Sequence, residues 1–128
     1  RADMLEKTKD RPQYVQDRLR VQVRTTADEL RQAADVIATR LNGARGPWSF
    51  LVPTKGWSSL DREGRPIHDP VADAAFVARM RERLAQPERL REVDLHLYTP
   101  EFARVAVDEF VALFRQAQAP ALAAAGQE

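Results

Sequence analysis

The spacing of apolar residues predicts a strand followed by a helix in the first third of the chain. Apolar and polar residues alternate over residues 19–24, a period of two that is typical of an edge strand with one solvent-facing side. Thr26 and Glu29 then have the spacing of a capping box, and apolar residues follow at helical intervals as far as Leu41. Gly43 is well suited to end that helix, because glycine tolerates the left-handed backbone conformation.

The middle of the chain predicts a second strand and a second helix. Residues 48–52 form a short, nearly continuous apolar run, which is typical of a strand that is covered on both faces. The polar segment 53–70 is longer than a simple connection requires, so we expect it to be either functional or disordered. Asp69 and Pro70 match the N-cap and first position of a helix, which ends before Pro87.

The last third of the chain repeats this order. Apolar and polar residues alternate over residues 93–98, which predicts a third strand, and Thr99 and Pro100 again match a helix start. The helix that follows has a broad apolar face, and such a face requires a large partner surface. Its aromatic members are Phe102, Phe110 and Phe114.

These elements alternate in the order β-α-β-α-β-α, which predicts the α/β class. Crossovers between parallel strands are right-handed, so we expect a mostly parallel sheet with helices packed against it. Residues 1–18 are highly charged and carry few apolar side chains, and we interpret them as an N-terminal arm or linker. Residues 117–128 are rich in alanine and are expected to be a flexible tail. Residues 19–116 then form the folded domain.

Composition narrows the classes of function. The 128 residues include 20 Lys and Arg against 19 Asp and Glu, so the net charge of +1 argues against nucleic acid as a simple electrostatic partner. Without cysteine there is no disulfide and no thiolate metal site. No apolar stretch is long enough for a membrane helix, and we expect a cytoplasmic protein with no membrane partner.

Candidate ligand-binding residues follow the predicted strands. In an open parallel sheet, ligands bind beyond the carboxyl ends of the strands. The loop after the second strand carries Lys55, Gly56, Ser58 and Asp61, which together offer a cation, a flexible backbone, a hydroxyl and a carboxylate. Such a loop suits an anionic or sugar-bearing ligand. The alternative is a solvated turn whose side chains cap their own backbone.

The first and third strands add further candidates. Arg24 and Thr25 precede a helix N-terminus, where an anion is favoured. Asp94 and His96 lie on one face of the third predicted strand, so His96 can serve as an acid, a base or a phosphate contact that Asp94 orients. The alternative for His96 is a half-buried residue hydrogen-bonded to backbone. We interpret His68 as a surface loop residue.

Several familiar sites are absent from the sequence. The phosphate-binding P-loop pattern, the dinucleotide fingerprint and the nucleophile-elbow pattern do not occur. The chain has only the histidines His68 and His96, and their spacing to Asp61 and Asp69 does not support a metal site. We therefore predict no metal.

Five short stretches together resemble a known family. They occur in the family's order between Val21 and Leu113, and the chain is similar to the C-terminal part of the Tm-one-like ATP-binding family. That family is a largely uncharacterised bacterial group related to a plant inhibitor of tomato mosaic virus RNA replication. The stretches are Arg24-Thr25-Thr26, Pro53-x-Lys55-Gly56-x-Ser58-x-Leu60-Asp61, Asp69-Pro70-x-Ala72-Asp73, Asp94-x-His96 and Pro100-Glu101-Phe102-Ala103.

The resemblance implies a Rossmann-like, three-layer α/β domain and a nucleotide ligand, with ATP as the cofactor. It also implies that the chain is a C-terminal part of a larger two-domain protein, whose N-terminal domain is its partner. Three hypotheses for function follow. The first is a nucleotide-binding domain, the second is an enzyme that uses His96 and Asp94 on a small polar substrate, and the third is a structural or dimerisation domain in a homo-oligomer.

Overall fold

The structure, a computed structural model, describes residues 2–125. The described residues form both helices and short strands, so the mixed α/β class is confirmed. The elements are α1 (Ala2–Lys7), β1 (Gln13–Val15), β2 (Val21–Val23), α2 (Ala27–Asn42), β3 (Phe50–Pro53), α3 (Pro70–Arg83), a 3-10 turn (Pro87–Arg89), β4 (Leu90–Val93) and α4 (Pro100–Ala125).

Strands β3 and β4 pair in parallel, with α3 as the crossover between them. Phe50 lies opposite Leu90, and Pro53 lies opposite Val93. The apolar run predicted as a covered strand therefore does form a strand, although it begins at Phe50 rather than at Trp48. The two strands end at the same edge of the sheet, so the loops that follow them come together.

The first predicted strand does not join this sheet. β2 pairs with β1 in an antiparallel hairpin, and Tyr14 lies opposite Gln22. The Asp17 carboxylate accepts hydrogen bonds from the backbone N–H groups of Leu19 and Arg20, both at 2.9 Å, and these bonds close the hairpin turn. Because β1 and β2 are close in sequence, little chain entropy is lost when they pair. Pairing of β2 with a distant parallel strand would cost more entropy.

The prediction of one parallel sheet with three strands is therefore wrong for the described residues, which form two two-stranded sheets. The full Rossmann-like order is not confirmed. Both α1 and β1 lie within residues 1–18, the segment predicted as an arm or linker.

The third strand lies earlier than its alternation predicts. It covers Leu90–Val93, and Leu95 donates its N–H to the carbonyl of Val93 at 2.7 Å, which turns the chain out of the strand. Leu90 is buried at the start of the strand. The alternation of apolar and polar residues after Val93 thus lies in a loop. A period of two in the sequence does not distinguish such a loop from a strand.

The hydrophobic core lies between α2, α3 and the parallel sheet. α2 contributes small residues at helical spacing, which lets α3 approach closely. Burial of each large apolar side chain contributes roughly 1.5–3 kcal/mol. The core residues are Leu30, Ala34, Ala38, Val52, Ala72, Phe76, Val77, Met80, Leu84 and Leu90.

The predicted helix starts are confirmed. The Thr26 hydroxyl accepts from the Glu29 N–H at 3.2 Å, and the Glu29 carboxylate accepts from the Thr26 N–H at 2.9 Å, so the capping box of α2 is complete. Asp69 caps α3 by accepting from the Ala72 N–H at 2.9 Å.

Helix α4 packs through little of its apolar face. Phe102 is buried, whereas Val107, Phe110 and Phe114 are mostly exposed. The helix extends to Ala125 and so includes most of residues 117–128, the predicted tail, of which residues 126–128 lie outside the described residues. The flexibility of that segment stays a prediction.

Candidate functional site

The loops after β3 and β4 enclose a cleft of about 700 Å³ at the carboxyl end of the parallel sheet. We call it the β3–β4 cleft. Its lining mixes cations, hydroxyls and two imidazoles, and it includes Lys55 and His96 from the predicted set. The lining residues are Thr54, Lys55, Arg62, Glu63, His68, Pro70, His96, Tyr98 and Thr99.

Backbone hydrogen bonds continue from the strands into these loops. Thr54 donates its N–H to the carbonyl of Val93 at 2.9 Å, and Lys55 donates to the carbonyl of Leu95 at 3.1 Å. The N–H of Leu97 in turn donates to the carbonyl of Gly56 at 3.1 Å. The two loops are therefore held together by main-chain bonds before any side chain contributes.

Gly56 is the point at which the first loop reverses direction. Its φ of +120° lies in the region that favours glycine, and a Cβ atom here would stand 1.7 Å from the carbonyl oxygen of Asp61. The same atom would be 3.0 Å from Cδ2 of His96. Gly56 thus allows residues 56–61 to fold back against the loop that carries His96.

Ser58 stabilises this reversal from inside the loop. Its hydroxyl accepts from the N–H groups of Leu60 and Asp61, at 3.3 and 3.2 Å. Its carbonyl also accepts from the Asp61 N–H at 3.0 Å. Of the two roles weighed for Ser58, these bonds match the turn that caps its own backbone.

Asp61 lies beneath the loop, with only 2 % of its surface exposed. Its Oδ2 accepts from the Trp57 N–H at 3.0 Å, and its Oδ1 lies 3.2 Å from Nδ1 of His68. The structure therefore places Asp61 behind the lining of the cleft. It is shielded from solvent and contacts residues of the lining, such as His68.

Arg24 joins Asp61 and Asp73 in a buried charge cluster, which we call the Arg24 cluster. One guanidinium nitrogen lies 3.4 Å from Oδ2 of Asp61, and another donates to the Asp73 carboxylate. A buried charge of this kind is tolerated because it is paired. Arg24 thus lies behind the cleft as well, and Thr25 is exposed on the surface beside it.

Two carboxylates share one guanidinium in the Arg24 cluster, and their pKa values move in opposite directions. Burial raises the pKa of Asp73 to about 6, against the lowering effect of Arg24 and with a further increase from the nearby charge of Asp61. Burial also acts to raise the pKa of Asp61, but the Trp57 N–H, the charge of Arg24 and His68 outweigh it, and that pKa is lowered. Asp61 is therefore an ionised carboxylate at neutral pH.

Asp94 pairs with Lys55 rather than with His96. Its Oδ2 lies 3.2 Å from Nζ of Lys55, and its Oδ1 accepts from the Thr54 hydroxyl at 3.3 Å. Both members of the ion pair are largely exposed, so the pair is weak and a ligand anion can compete for the ammonium group.

His96 has both ring nitrogens engaged by the main chain. The Tyr98 N–H donates to Nδ1 at 3.1 Å, so the proton sits on Nε2, which donates to the carbonyl of Ser58 at 3.1 Å. His96 therefore connects the two loops of the cleft. The arrangement matches the backbone-bonded role weighed for His96.

His68 belongs to the long loop, as predicted, but its contacts were not predicted. Its side chain is 23 % exposed, lines the cleft and contacts the buried carboxylate of Asp61. Arg62 also lines the cleft and was not among the predicted residues. No local motif marks either residue, since the long loop 53–70 brings them into place.

Residues 2–125 contain neither a cluster of metal ligands nor a membrane-spanning helix. Within residues 2–125, no group of three or more His, Cys, Asp or Glu side chains is placed to hold a metal ion. No helix in that range combines the length and the apolar content needed to cross a membrane.

Comparison with known proteins places the chain among larger bacterial and plant relatives. The family model of the uncharacterised protein family UPF0261, C-terminal domain, matches residues 1–114. A UPF0261 protein of Brucella suis is 36% identical over 105 residues, which are 82% of this chain and 25% of that protein. A UPF0261 protein of Mesorhizobium japonicum is 42% identical over 96 residues, covering 73% of this chain and 24% of that protein.

The similarity extends to a plant protein. The tomato ToMV resistance protein Tm-1(GCR237), from Solanum lycopersicum, is 33% identical over 91 residues, which are 70% of this chain and 12% of that protein. The predicted family resemblance is thus confirmed. The chain spans about a quarter of the length of its bacterial relatives.

Proposed function

Since the chain belongs to the UPF0261 C-terminal domain family, we propose that it is a ligand-binding α/β domain and that the β3–β4 cleft takes a small phosphorylated ligand. The observation that carries the proposal is the meeting of two loops at the carboxyl ends of adjacent parallel strands. That position is where α/β sheets commonly bind ligands. A nucleotide is the ligand class we favour, with ATP as the specific candidate that the Tm-one-like resemblance implies.

The lining chemistry supports a phosphorylated ligand. Lys55 and Arg62 bring cationic groups to the cleft, and the hydroxyls of Thr54 and Thr99 are suited to hydrogen bonds with phosphate or sugar oxygens. Glu63 adds one carboxylate at the same surface. The cleft is open to solvent, so a ligand does not need to displace a packed core to enter.

The proposed binding set differs from the one predicted from sequence. Lys55 and His96 stay in it because both line the cleft. Arg24 and Asp61 act from behind, through the buried cluster that supports the loop. Arg62 and His68 replace them as residues that face a ligand.

Isothermal titration calorimetry of ATP against the full chain tests this proposal. We expect saturable binding, and we expect the K55A/R62A variant to lose about tenfold in affinity because two phosphate-facing cations are removed. The K9A/R18A variant removes the same two residue types at exposed positions of the N-terminal segment and should bind as the wild type does. Equal affinity of all three proteins, or no binding, would overturn the proposal.

A second candidate function is self-association through α4. The exposed apolar side chains of Val107, Phe110 and Phe114 favour it, since monomeric proteins rarely expose such a contiguous face. Sedimentation velocity of the full chain, compared with F110S/F114S, is the test. A wild-type dimer that the double variant abolishes supports this function, and a stable, dilute wild-type monomer contradicts it.

A further inference from the structure

His68 and Asp61 form an oriented pair at the wall of the β3–β4 cleft. Nδ1 of His68 lies 3.2 Å from Oδ1 of Asp61, whose carboxylate is almost completely buried. The ring itself lines the cleft and is 23 % exposed. One edge of the imidazole thus contacts a buried anion, while part of the ring is accessible from the cleft.

The hydrogen bond between the two residues fixes the tautomer of His68. An ionised carboxylate only accepts hydrogen bonds, so Nδ1 carries the proton and donates it to Asp61. Nε2 then holds the lone pair. Among the described residues, no protein group hydrogen-bonds Nε2 of His68, whereas both ring nitrogens of His96 are occupied. Of the two imidazoles in the cleft, His68 is the one with a free proton-accepting atom.

Asp61 is itself held in a single position. The Trp57 N–H and the Arg24 guanidinium contact its Oδ2, which leaves Oδ1 directed at His68. A buried, immobilised carboxylate keeps the ring from rotating and leaves Nε2 as the accepting nitrogen. The buried Arg24 cluster thereby determines the orientation of the His68 ring at the wall of the cleft.

We propose that His68, positioned by Asp61, accepts a hydrogen bond from a hydroxyl group on a ligand bound in the β3–β4 cleft. This inference rests on the proposed function, because it takes the cleft to be the ligand site. The ligand class it specifies is a phosphorylated compound that also carries a free hydroxyl, such as a sugar phosphate or a nucleotide. Lys55 and Arg62 face the phosphate, and His68 faces the hydroxyl.

The proposed contact leaves every covalent bond in place. The ligand hydroxyl donates a hydrogen bond to Nε2 of His68, and the Nδ1–H of His68 donates to Asp61. Asp61 does not touch the ligand and is a positioning residue.

The tautomer of His68 can be measured in the full chain without ligand. Nitrogen-15 NMR of the histidine rings should show His68 with the proton on Nδ1 and His96 with the proton on Nε2. In D61N this preference of His68 should be lost, because an amide can accept or donate. A His68 ring protonated on Nε2 in the wild type would overturn the inference even if D61N did not fold.

The reactivity of the two rings gives a second measurement. Diethyl pyrocarbonate adds an ethoxycarbonyl group to an unprotonated imidazole nitrogen and releases carbon dioxide and ethanol. We expect His68 to be modified faster than His96, as followed by peptide mass spectrometry, and we expect the rate at His68 to fall in D61N. Equal or slower modification of His68 than of His96 in the wild type would contradict the proposal.

Binding of ribose 5-phosphate and inorganic phosphate separates the inference from the proposed function. H68F, which keeps a planar ring without an acceptor, should bind ribose 5-phosphate about tenfold more weakly than the wild type, which is the effect of one lost hydrogen bond, and should bind inorganic phosphate unchanged. If both probes bind and H68F alters neither, only the role of His68 is overturned. If neither probe binds the wild type, the inference about His68 fails, whereas the proposed function is decided by the titration with ATP.

Discussion

Among single residues, the three charged side chains of the Arg24 cluster have the largest effect on the cleft, because they hold its long loop in place from behind. Arg24 and Asp61 have residue types that suit an anion-binding loop, and the sequence predicts them as ligand contacts. Their side chains are instead buried against each other and Asp73. Burial could not be predicted because Arg24 and Asp73 lie far apart in the chain and meet only after α2 and α3 have packed.

The Arg24 cluster predicts an unusual pH dependence of stability. The pKa of Asp73 is about 6 in the folded protein, against an ordinary value of 3.8. Between these values the native state binds more protons than the unfolded state, so the contribution of Asp73 to stability is lost as pH rises from about 4 to 6. Relative to D73N, the wild type should lose roughly 1–3 kcal/mol over this range.

Urea unfolding of wild type and D73N at several pH values measures this difference. The comparison removes the contributions of carboxylates outside the Arg24 cluster, because both proteins share them. D108N, at an exposed position of α4, is the matched control and should follow the wild-type curve. Parallel curves for wild type and D73N would show that Asp73 titrates normally.

Gly56 is the residue at which we expect the cleft to be most sensitive to a small change. G56A places a Cβ against the Asp61 carbonyl and adds strain at positive φ, so we expect a loss of roughly 1–3 kcal/mol or more in the free energy of unfolding. G64A is the matched control, since Gly64 has a φ of +78° but no heavy atom within 4 Å of the added methyl. Thermal unfolding of both variants isolates the clash, and equal losses would contradict it.

At the scale of elements, local sequence signals predicted helix starts better than strands. The cap of α2 needs only residues three positions apart, and Thr26 and Glu29 form it as expected. The strand at 93–98 was misplaced, because the alternation of Leu95 and Leu97 with polar residues continues after the strand ends at Val93. Strand position depends on pairing with Phe50–Pro53, which local sequence does not contain.

The capping box of α2 should contribute measurably to stability. T26A removes the hydroxyl that accepts from the Glu29 N–H, and the loss of such a cap costs about 1 kcal/mol. T25A alters the exposed neighbouring threonine and should change stability by less than about 0.5 kcal/mol. Chemical denaturation compares the two variants. An equal effect of both would mean that the hydroxyl at residue 26 does not cap the helix.

At the scale of the whole molecule, the α/β class was predictable and the complete sheet was not. The βαβ unit of β3, α3 and β4 follows from the order of apolar segments. The antiparallel hairpin of β1 and β2 was not predicted, because the strand formed by residues 13–15 is short and lies in a charged segment. The family resemblance was found from short motifs, several of which lie at the cleft or in the Arg24 cluster behind it.

The position of the cleft was predicted from the sequence, but only some of its lining residues were. The rule that ligands bind at the carboxyl ends of parallel strands identified the loops that carry Lys55 and His96. It did not identify His68 or Arg62, because the path of the long loop 53–70 determines which of its residues face inward. The residues that a proposed ligand meets thus depend on loop geometry, which the buried pair of Arg24 and Asp61 maintains.

Amide NMR of the nitrogen-15-labelled full chain during titration with ATP shows whether the β3–β4 cleft binds a phosphorylated ligand. We expect saturable shifts at residues 54–56, 62–63 and 96–99, and we expect K55A/R62A to reduce them. Shifts that are absent, or that are confined to the separate cavity beside Trp48 and Arg89, would contradict binding in the β3–β4 cleft.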